Sequence, residues 1–240
     1  MKFVYFLNVL KSFTSIMTSS YSQLNQDLWV AEVLSGKRNG VFVDVGAFDG
    51  INLSNTYLFE KEYEWTGICI EANISTFNQL KTNRTCPCVN ELLSDVSDKA
   101  VSFQRLGELS FSGENIYKYD IESIRASNTN LDTQVCTLYT STLNDVLDKN
   151  NIPKIIDYLS IDVEGMELDI LKTFDFKKYH INVITVEHNA AHIGMEYRNK
   201  LFDLLTMNGF KFVKGNDNVH NWNENDYNIE DFYVNRIIKH

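Results

Sequence analysis

The sequence is poor in several features that mark particular protein classes. Only two prolines occur, and the four cysteines, Cys69, Cys86, Cys88 and Cys136, lack the paired CxxC spacing of zinc sites. No apolar run is long enough to predict a membrane-spanning helix. Basic residues are outnumbered, 22 Lys and Arg against 32 Asp and Glu, for a formal net charge of −10. Such a surface repels phosphate backbones, which disfavours a nucleic-acid partner.

The features that are present predict one α/β domain. The chain has 240 residues, of which 44% are apolar, so a sizeable core is available. Short β-rich runs alternate with amphipathic stretches, which is typical of βα units around a mostly parallel sheet. We interpret residues 1–20 as an N-terminal extension and residues 21–240 as the domain.

The expected location is cytoplasmic. The cysteine pattern favours reduced thiols, and therefore a reducing compartment. The extension nevertheless carries an apolar run between Lys2 and Lys11, which weakly resembles a signal peptide. Export or membrane association therefore stays open.

A strand predicted over 41–45 runs directly into a glycine-containing loop, with Asp44, Gly46, Ala47 and Gly50 around the junction. Gly46 permits a positive φ and close backbone approach, and ligands of doubly wound sheets bind at the carboxyl ends of strands. The spacing is neither GxGxxG nor a phosphate loop. Because the loop holds acids and no base, it suits a cationic sulfonium or amino group, although an ordinary strand-to-helix turn is the alternative.

Further polar residues follow the next two predicted strands. Glu71 ends a strand over 65–70, where an acid can accept both ribose hydroxyls of a nucleoside cofactor. Ser94 and Asp95 follow a strand over 88–93, where an Asp can accept the exocyclic amine of adenine. Ser-Asp is equally common in turns, so that position stays ambiguous. The glycine loop and Glu71 together predict a nucleoside cofactor.

A second polar cluster follows two later strands. Asp162 and Glu164 leave a strand over 157–162, and Glu187 and His188 end a strand over 182–186. Neighbouring parallel strands would bring these side chains to one edge of the sheet. Two functions are then open: Asp162, Glu187 and His188 hold Mg²⁺ or Mn²⁺, or Asp162, Glu164 or His188 acts as a general base. A structural hydrogen-bond network is the third alternative.

These segments together resemble the FkbM-type methyltransferase family, from Tyr21 to about Asn235. The residues that carry the resemblance are Ser22-Gln23, Gln26-Asp27, Val43–Ala47, Ile70–Asn73, Ser94-Asp95, Thr142–Leu147, Ile161–Gly165 and Glu187–Asn189. The resemblance implies a Rossmann-like class I methyltransferase fold over 21–240, with a mostly parallel seven-stranded sheet and an antiparallel edge strand. It also implies S-adenosylmethionine as the methyl donor.

The resemblance assigns roles to residues of this chain. It places Asp44, Gly46, Ala47 and Gly50 at the methionine end of the donor, Glu71 at the ribose, Ser94 with Asp95 at the adenine, and Gln26 within the cofactor site.

The resulting hypothesis is an O-methyltransferase that acts on a hydroxyl of a sugar, a glycan or a glycosylated small molecule, with the polar segment 107–130 as a lid. One alternative is a binding or scaffold protein that keeps the fold without the chemistry. A nicotinamide-dependent oxidoreductase would need a GxGxxG turn. An RNA ribose methyltransferase would need a basic face.

Overall fold

The computed structural model describes residues 19–113, 120–190, 194–215 and 229–239. The extension predicted for 1–20 therefore lies almost wholly outside the described residues, as does the centre of the predicted lid, 114–119. Within the described ranges, no helix has the length and apolar character needed to cross a membrane.

Strands and helices alternate along the chain, as the sequence predicts. In chain order the elements are α1 (Gln26–Val33), β1 (Val41–Val45), α2 (Tyr57–Glu62), β2 (Thr66–Ile70), α3 (Ile74–Asn83), β3 (Cys88–Val89), β4 (Leu92–Leu93), β5 (Ala100–Gln104), β6 (Phe111–Ser112), α4 (Ile121–Ser127), β7 (Val135–Ser141), α5 (Leu143–Lys149), β8 (Ile155–Ile161), α6 (Glu167–Lys172), β9 (His180–Glu187), α7 (Met195–Met207), β10 (Phe210–Gly215) and β11 (Glu230–Asn235).

A seven-stranded sheet forms the centre of the fold, in the order β10-β11-β9-β8-β1-β2-β3. Strands β9, β8, β1, β2 and β3 are parallel to one another, so their carboxyl ends lie at one edge of the sheet. The central strands are buried on both faces, which explains why β1 and β8 are nearly continuous apolar runs. Helices cover both faces, and the expected fold class is confirmed.

One detail of the sheet needs correction. The antiparallel strand, β11, does not lie at the edge, because it pairs with β9 on one side and β10 on the other. The edge strand is β10, which runs parallel to β9. After β9, the chain passes through α7 and forms β10 two positions away in the sheet. Strand β11 then occupies the position between β9 and β10. Phe232 and Tyr233 of β11 are buried accordingly.

A smaller sheet, in the order β4-β7-β5-β6, lies beside the large one. The sequence predicts a single strand over 88–93, but the chain divides it at Asn90. Residues 88–89 join the large sheet and residues 92–93 pair with β7 of the small sheet. The polar segment 107–130 also contains more order than expected, since β6 and α4 lie within it.

The helix that follows the glycine loop does not begin until Tyr57. Residues 51–56 form an irregular loop before it. Asp49 organises the start of this loop, because its carboxylate accepts hydrogen bonds from the backbone N–H groups of Ile51 and Asn52, at 2.9 and 2.8 Å. A short polar side chain that binds nearby backbone N–H groups competes with helix formation in this way. The loop is thereby left free to line the carboxyl edge of the sheet.

Candidate active site

Gly46 allows two strand ends to meet at the carboxyl edge of the sheet. Its φ is +85°, and a Cβ atom at this position would lie 1.7 Å from the backbone oxygen of Asp162. The neighbouring backbone holds this contact, since the N–H of Asp162 donates to the oxygen of Val45 at 2.9 Å. Only glycine fits such a position. The close approach therefore places the glycine loop beside the second acidic cluster.

Asp44 is the last acid before this turn, and it is buried. The hydroxyl of Thr56 donates to its Oδ2 at 2.6 Å, and the guanidinium of Arg84 lies 3.9 Å from the same oxygen. Burial raises the pKa of Asp44, while Arg84 and Thr56 act in the opposite direction. Arg84 is itself fully buried and also pairs with Glu60. The contacts with Thr56 and Arg84 therefore fix the orientation of the Asp44 carboxylate beneath the glycine loop.

Glu71 ends β2 and faces the same turn from the other side. Its two carboxylate oxygens accept the backbone N–H groups of Phe48 at 2.9 Å and Asn73 at 2.7 Å. Burial raises its pKa to about 7, against the effect of these hydrogen bonds. The carboxyl lines a narrow cleft together with Ala72, Leu92 and other residues of the small sheet. This is the position in which the sequence predicts a ribose-binding acid.

Two of the predicted cofactor residues, Gly50 and Gln26, lie outside this cleft. A Cβ at Gly50 would collide with Leu80 and Arg84, so the role of this glycine is packing against α3. Gln26 is buried and donates to Glu230, and it lines neither the cleft nor the cavity beside it.

Ser94 and Asp95 are also displaced from the cleft. The Ser94 hydroxyl lies 3.1 Å from a carboxylate oxygen of Asp95, whose other oxygen pairs with Lys172 at 3.0 Å. Because the chain leaves the large sheet at Asn90, the residues of this segment that line the cleft are Glu91, Leu92 and Leu93.

Three carboxyls converge where β8 and β9 end. One carboxylate oxygen from each of Asp162, Glu164 and Glu187 lies within 4.8 Å of the other two. Burial, followed by the charges of Asp162 and Glu164, raises the pKa of Glu187 well above its usual value. Burial also raises the pKa of Asp162, against a hydrogen bond from Glu187. The hydrogen bond between the two carboxyls favours the ionised form of Asp162 and the protonated form of Glu187.

These three carboxyls are also the residues that can hold a metal ion. Oxygen ligands suit Mg²⁺ or Mn²⁺, and Oε2 of Glu187 is buried without a hydrogen-bond partner among the described residues. The donor set differs from the predicted one, because Glu164 takes the place expected for His188.

His188 points away from the cluster. Adjacent residues at a strand end face opposite sides, so Glu187 and His188 cannot both face the cavity. The ring is fully buried; its Nδ1 accepts the N–H of Ala190 at 3.1 Å, and its Nε2 lies 3.3 Å from Asp231. Asp231 in turn binds Arg198 at 2.8 Å. His188 therefore belongs to a structural network rather than to the predicted base or metal site.

Glu167 and Tyr197 support the cluster, although no sequence motif singled them out. Glu167 Oε1 accepts the backbone N–H groups of Val163 and Gly165, both at 3.1 Å, and so fixes the turn that carries Glu164. Its Oε2 accepts the Tyr197 hydroxyl at 2.7 Å. An acid five residues after Asp162, at the first turn of a predicted helix, was the available signal.

A cavity of about 300 Å³ connects the glycine loop with the carboxyl cluster. Its walls carry Asp44, Gly46, Ala47, Asn55, the three clustered acids and Asn189. Asn55 donates to Ser160 at 2.9 Å, but its Oδ1 is buried without a partner in the described residues, as is Glu187 Oε2. Two unpartnered buried oxygens in one cavity indicate a site whose ligand completes the hydrogen bonds.

A family model described as the methyltransferase FkbM domain matches residues 44–212, which span both groups of strand ends. The chain belongs to the FkbM methyltransferase family. S-adenosylmethionine is the methyl donor of that family, and the glycine loop, Asp44 and Glu71 fit it because they offer acids and no base. The expected family resemblance is therefore confirmed.

Several solved methyltransferase structures are similar to this chain at low sequence identity. The FkbM methyltransferase from Methylobacillus flagellatus KT is 9% identical with a TM-score of 0.46, covering 82% of this chain and 44% of that one. The Aeropyrum pernix fibrillarin with natively bound S-adenosyl-L-methionine is 10% identical, with a TM-score of 0.46 over 89% and 74%. The FkbM chain is thus more than twice as long as the part matched. No curated protein sequence matches this chain.

Proposed function

We propose that this FkbM-family chain transfers a methyl group to a hydroxyl of a sugar, a glycan or a glycosylated small molecule. The observation that carries the proposal is the Asp162–Glu187 carboxyl pair, which borders the same cavity as the Gly46 turn. An acceptor hydroxyl must lose its proton during transfer, and a carboxylate whose pKa is raised by burial binds a proton more readily and is a suitable base. An amino acceptor that is already neutral would not need such a base.

The donor fits along the glycine loop. S-adenosylmethionine supplies an electrophilic methyl group on a positively charged sulfur. Asp44 and the unpartnered Oδ1 of Asn55 can accept hydrogen bonds from its amino end, and Glu71 from its ribose. The apolar side chains of Leu92 and Phe103 line the cleft beyond Glu71, where an adenine ring would be enclosed. The acids along this path also favour a cationic ligand electrostatically.

The acceptor chemistry follows from the remaining walls of the cavity. Gln23, Asn52, Ser54 and Asn189 offer amide and hydroxyl groups, which suit a ligand rich in neutral hydroxyls. Glu108 and the clustered acids add negative charge, which disfavours a phosphate-bearing acceptor. This argues against the RNA ribose alternative, and the net charge of −10 argues in the same direction.

In the proposed mechanism, the Asp162 carboxylate takes the proton of the acceptor hydroxyl. Glu187 keeps its own proton and, through the hydrogen bond to Asp162, orients that carboxylate. Glu164 is the third carboxyl of the cluster, and its side chain lines the same cavity. A divalent cation bound by the same three carboxyls is the competing arrangement; it would lower the pKa of the hydroxyl directly and would require Glu187 to be ionised.

The first test separates donor binding from chemistry. S-adenosylhomocysteine binding is measured by calorimetry for the wild type and for Glu71→Ala, Asp162→Asn and Asp169→Asn, the last being an exposed carboxyl on α6 paired with Lys172. We expect Glu71→Ala to weaken binding at least tenfold and Asp162→Asn to change it less than threefold. The Asp169→Asn control should match the wild type. No binding to the wild type would favour the scaffold alternative.

The second test concerns the acceptor and the metal. Transfer of a labelled methyl group is measured with aryl glycosides of common hexoses and with a single-stranded RNA oligonucleotide, with and without Mg²⁺ or EDTA. We expect label on the glycosides, and a loss of at least 100-fold for Asp162→Asn. Label on the RNA alone would overturn the acceptor proposal. Abolition of transfer by EDTA, restored by Mg²⁺, would assign the cluster to a metal instead of a base.

A further inference from the structure

Three of the four cysteines meet in one place outside the active site. Cys69 lies in β2 and pairs in register with Cys88 of β3, and Cys86 lies just before β3. The sulfur atoms of Cys69 and Cys86 are 3.6 Å apart, and the Cys88 thiol points back to the oxygen of Cys86 at 3.4 Å. The spacing of the cysteines in the sequence does not predict this grouping, which arises from the parallel pairing of the two strands.

The three thiols differ in accessibility. Cys69 is fully buried, whereas Cys86 and Cys88 are half-buried. A small solute can therefore reach Cys86 or Cys88, with Cys69 directly behind them. The fourth cysteine, Cys136, lies in β7 of the small sheet and pairs in register with Phe103. It is separate from this thiol cluster and serves as an internal control.

The charges around the cluster favour a thiolate over a bound metal. Hydrogen bonds from Cys69 and Cys86, followed by the charge of Arg84, lower the pKa of Cys88. The pKa of Cys69 is raised well above its usual value, chiefly by burial. A buried guanidinium beside the sulfurs would repel a metal cation. Within the described part of the chain, the three carboxyls at the ends of β8 and β9 are the cluster whose ligand atoms meet closely enough for a metal.

We propose that Cys69, Cys86 and Cys88 form a peroxide-reactive site that closes an intramolecular disulfide between Cys69 and Cys86. The sulfur atoms of Cys69 and Cys86 are 3.6 Å apart, and about 1.5 Å of approach would bring them to disulfide length. Cys88 starts the reaction because hydrogen bonds from the other two thiols and the charge of Arg84 favour its thiolate, and because it is half-buried rather than enclosed like Cys69. The oxidant is a hydroperoxide.

The reaction balances in three steps. The Cys88 thiolate attacks the outer oxygen of hydrogen peroxide, the O–O bond breaks, and the released hydroxide takes a proton to leave as water. Cys86 sulfur then attacks the Cys88 sulfenic acid, the S–O bond breaks, and a second water leaves with the Cys86 proton. Cys69 finally attacks the Cys86 sulfur, and the bond between Cys86 and Cys88 breaks. Cys88 leaves as a thiolate, and the Cys69 proton passes to solvent. Two thiols are oxidised by two electrons and one peroxide is reduced.

The low proton affinity of Cys88 explains the direction of the last step. In thiol–disulfide exchange, the sulfur that holds its proton least tightly is the best leaving group. Cys88 therefore leaves, and the disulfide moves to the two sulfurs that are already 3.6 Å apart. Reduction by an external thiol would reopen it.

The test is peptide mapping after peroxide treatment of the whole chain. Remaining thiols are alkylated, and trypsin, which cleaves after Lys81 and Arg84, separates Cys69 from Cys86 and Cys88. We expect a cross-linked pair of these peptides that disappears with dithiothreitol. Cys88→Ser should slow its formation at least tenfold, Cys69→Ala should abolish it, and Cys136→Ser should leave it unchanged. Should Cys69→Ala fail to fold, Cys86→Ser at a half-buried position gives the same loss.

Two results would overturn the proposal. One is oxidation of each cysteine to sulfinic or sulfonic acid without any cross-linked peptide. The other is a Cys88→Ser variant that forms the disulfide as fast as the wild type, which would remove Cys88 from the reaction.

Discussion

At the scale of single residues, the strongest constraint falls on Gly46. Two separate conditions exclude other residues there: a φ of +85° and the 1.7 Å approach of a hypothetical Cβ to the Asp162 oxygen. The first condition costs about 1–2 kcal/mol for an L residue. The second cannot be met without moving β1 away from β8. The close backbone approach that excludes a side chain at this position is therefore the one that places the glycine loop beside the carboxyl cluster.

Gly46→Ala is predicted to destabilise the chain much more than Gly209→Ala. Gly209 has a similar φ of +92°, but a Cβ added there would meet nothing within 4 Å, so it shares the strain and lacks the collision. Urea unfolding should show a loss of about 1 kcal/mol for Gly209→Ala, and at least about 2 kcal/mol more for Gly46→Ala. Equal losses would mean that the contact with Asp162 relaxes freely.

The sequence predicts residues well where their position relative to a strand decides their role. Asp44, Gly46 and Glu71 all occupy the edge of the sheet because each ends a long apolar run. Asp162 and Glu187 follow the same rule. His188 breaks it for a local reason, since one step along the chain turns a side chain to the opposite face. Residue type and approximate location were therefore predictable, whereas the direction of the side chain was not.

At the scale of elements, the turn between β8 and α6 is the part that presents two of the three clustered carboxyls, Asp162 and Glu164. Glu164 has a positive φ of 57°, an uncommon conformation for a residue other than glycine. Glu167 at the start of α6 holds this turn through two backbone N–H groups, and Tyr197 of α7 holds Glu167. Helices α6 and α7 thus fix one turn together, through a hydrogen bond between residues that are 30 positions apart in the sequence.

Tyr197→Phe is predicted to weaken this arrangement. The change removes the hydroxyl that donates to Glu167 and accepts the N–H of Leu168 at 3.1 Å. Leaving these buried groups without a partner should cost about 1–3 kcal/mol in urea unfolding. Tyr139→Phe, at a position 68% exposed on β7, is the matched control and should stay within about 0.5 kcal/mol. A loss of the same size in both variants would contradict the role given to Glu167.

Elements were predictable from the sequence where the apolar pattern is long, as in β1, β2, β8 and β9. The pattern failed over 88–93, because two residues in the large sheet and two in the small one give a continuous β-like run. For the same reason, Leu92 lines the cleft beside Glu71, whereas the sequence predicts Ser94 there. Strand exchange between sheets depends on pairing partners far away in the chain, which a local pattern does not contain.

At the scale of the whole molecule, burial of acids is the dominant electrostatic feature. Burial raises the pKa of Glu71 and Glu167 to about 7 and that of Glu230 to about 8. These acids hold protons more tightly in the folded chain than in the unfolded one, where the pKa is near 4.5. Their stabilising contribution to the free energy of unfolding is complete below about pH 4.5 and is lost as the pH rises toward 8. In the opposite direction, hydrogen bonds and the charge of Arg84 lower the pKa of Glu60 to about 2, which stabilises the fold above about pH 4.5.

The free energy of unfolding is therefore predicted to be greatest near pH 5 and to fall between pH 5 and pH 8. Urea unfolding across this range measures it directly, in the absence of donor or metal. Glu167→Gln keeps a neutral side chain at every pH, so this variant should lose on the order of 2–3 kcal/mol less than the wild type over the same interval. Glu196→Gln, whose carboxyl is fully exposed on α7, should follow the wild type. A stability that rises from pH 5 to pH 8 would show that Glu71, Glu167 and Glu230 are ionised in the folded chain, against the raised pKa values on which this prediction rests.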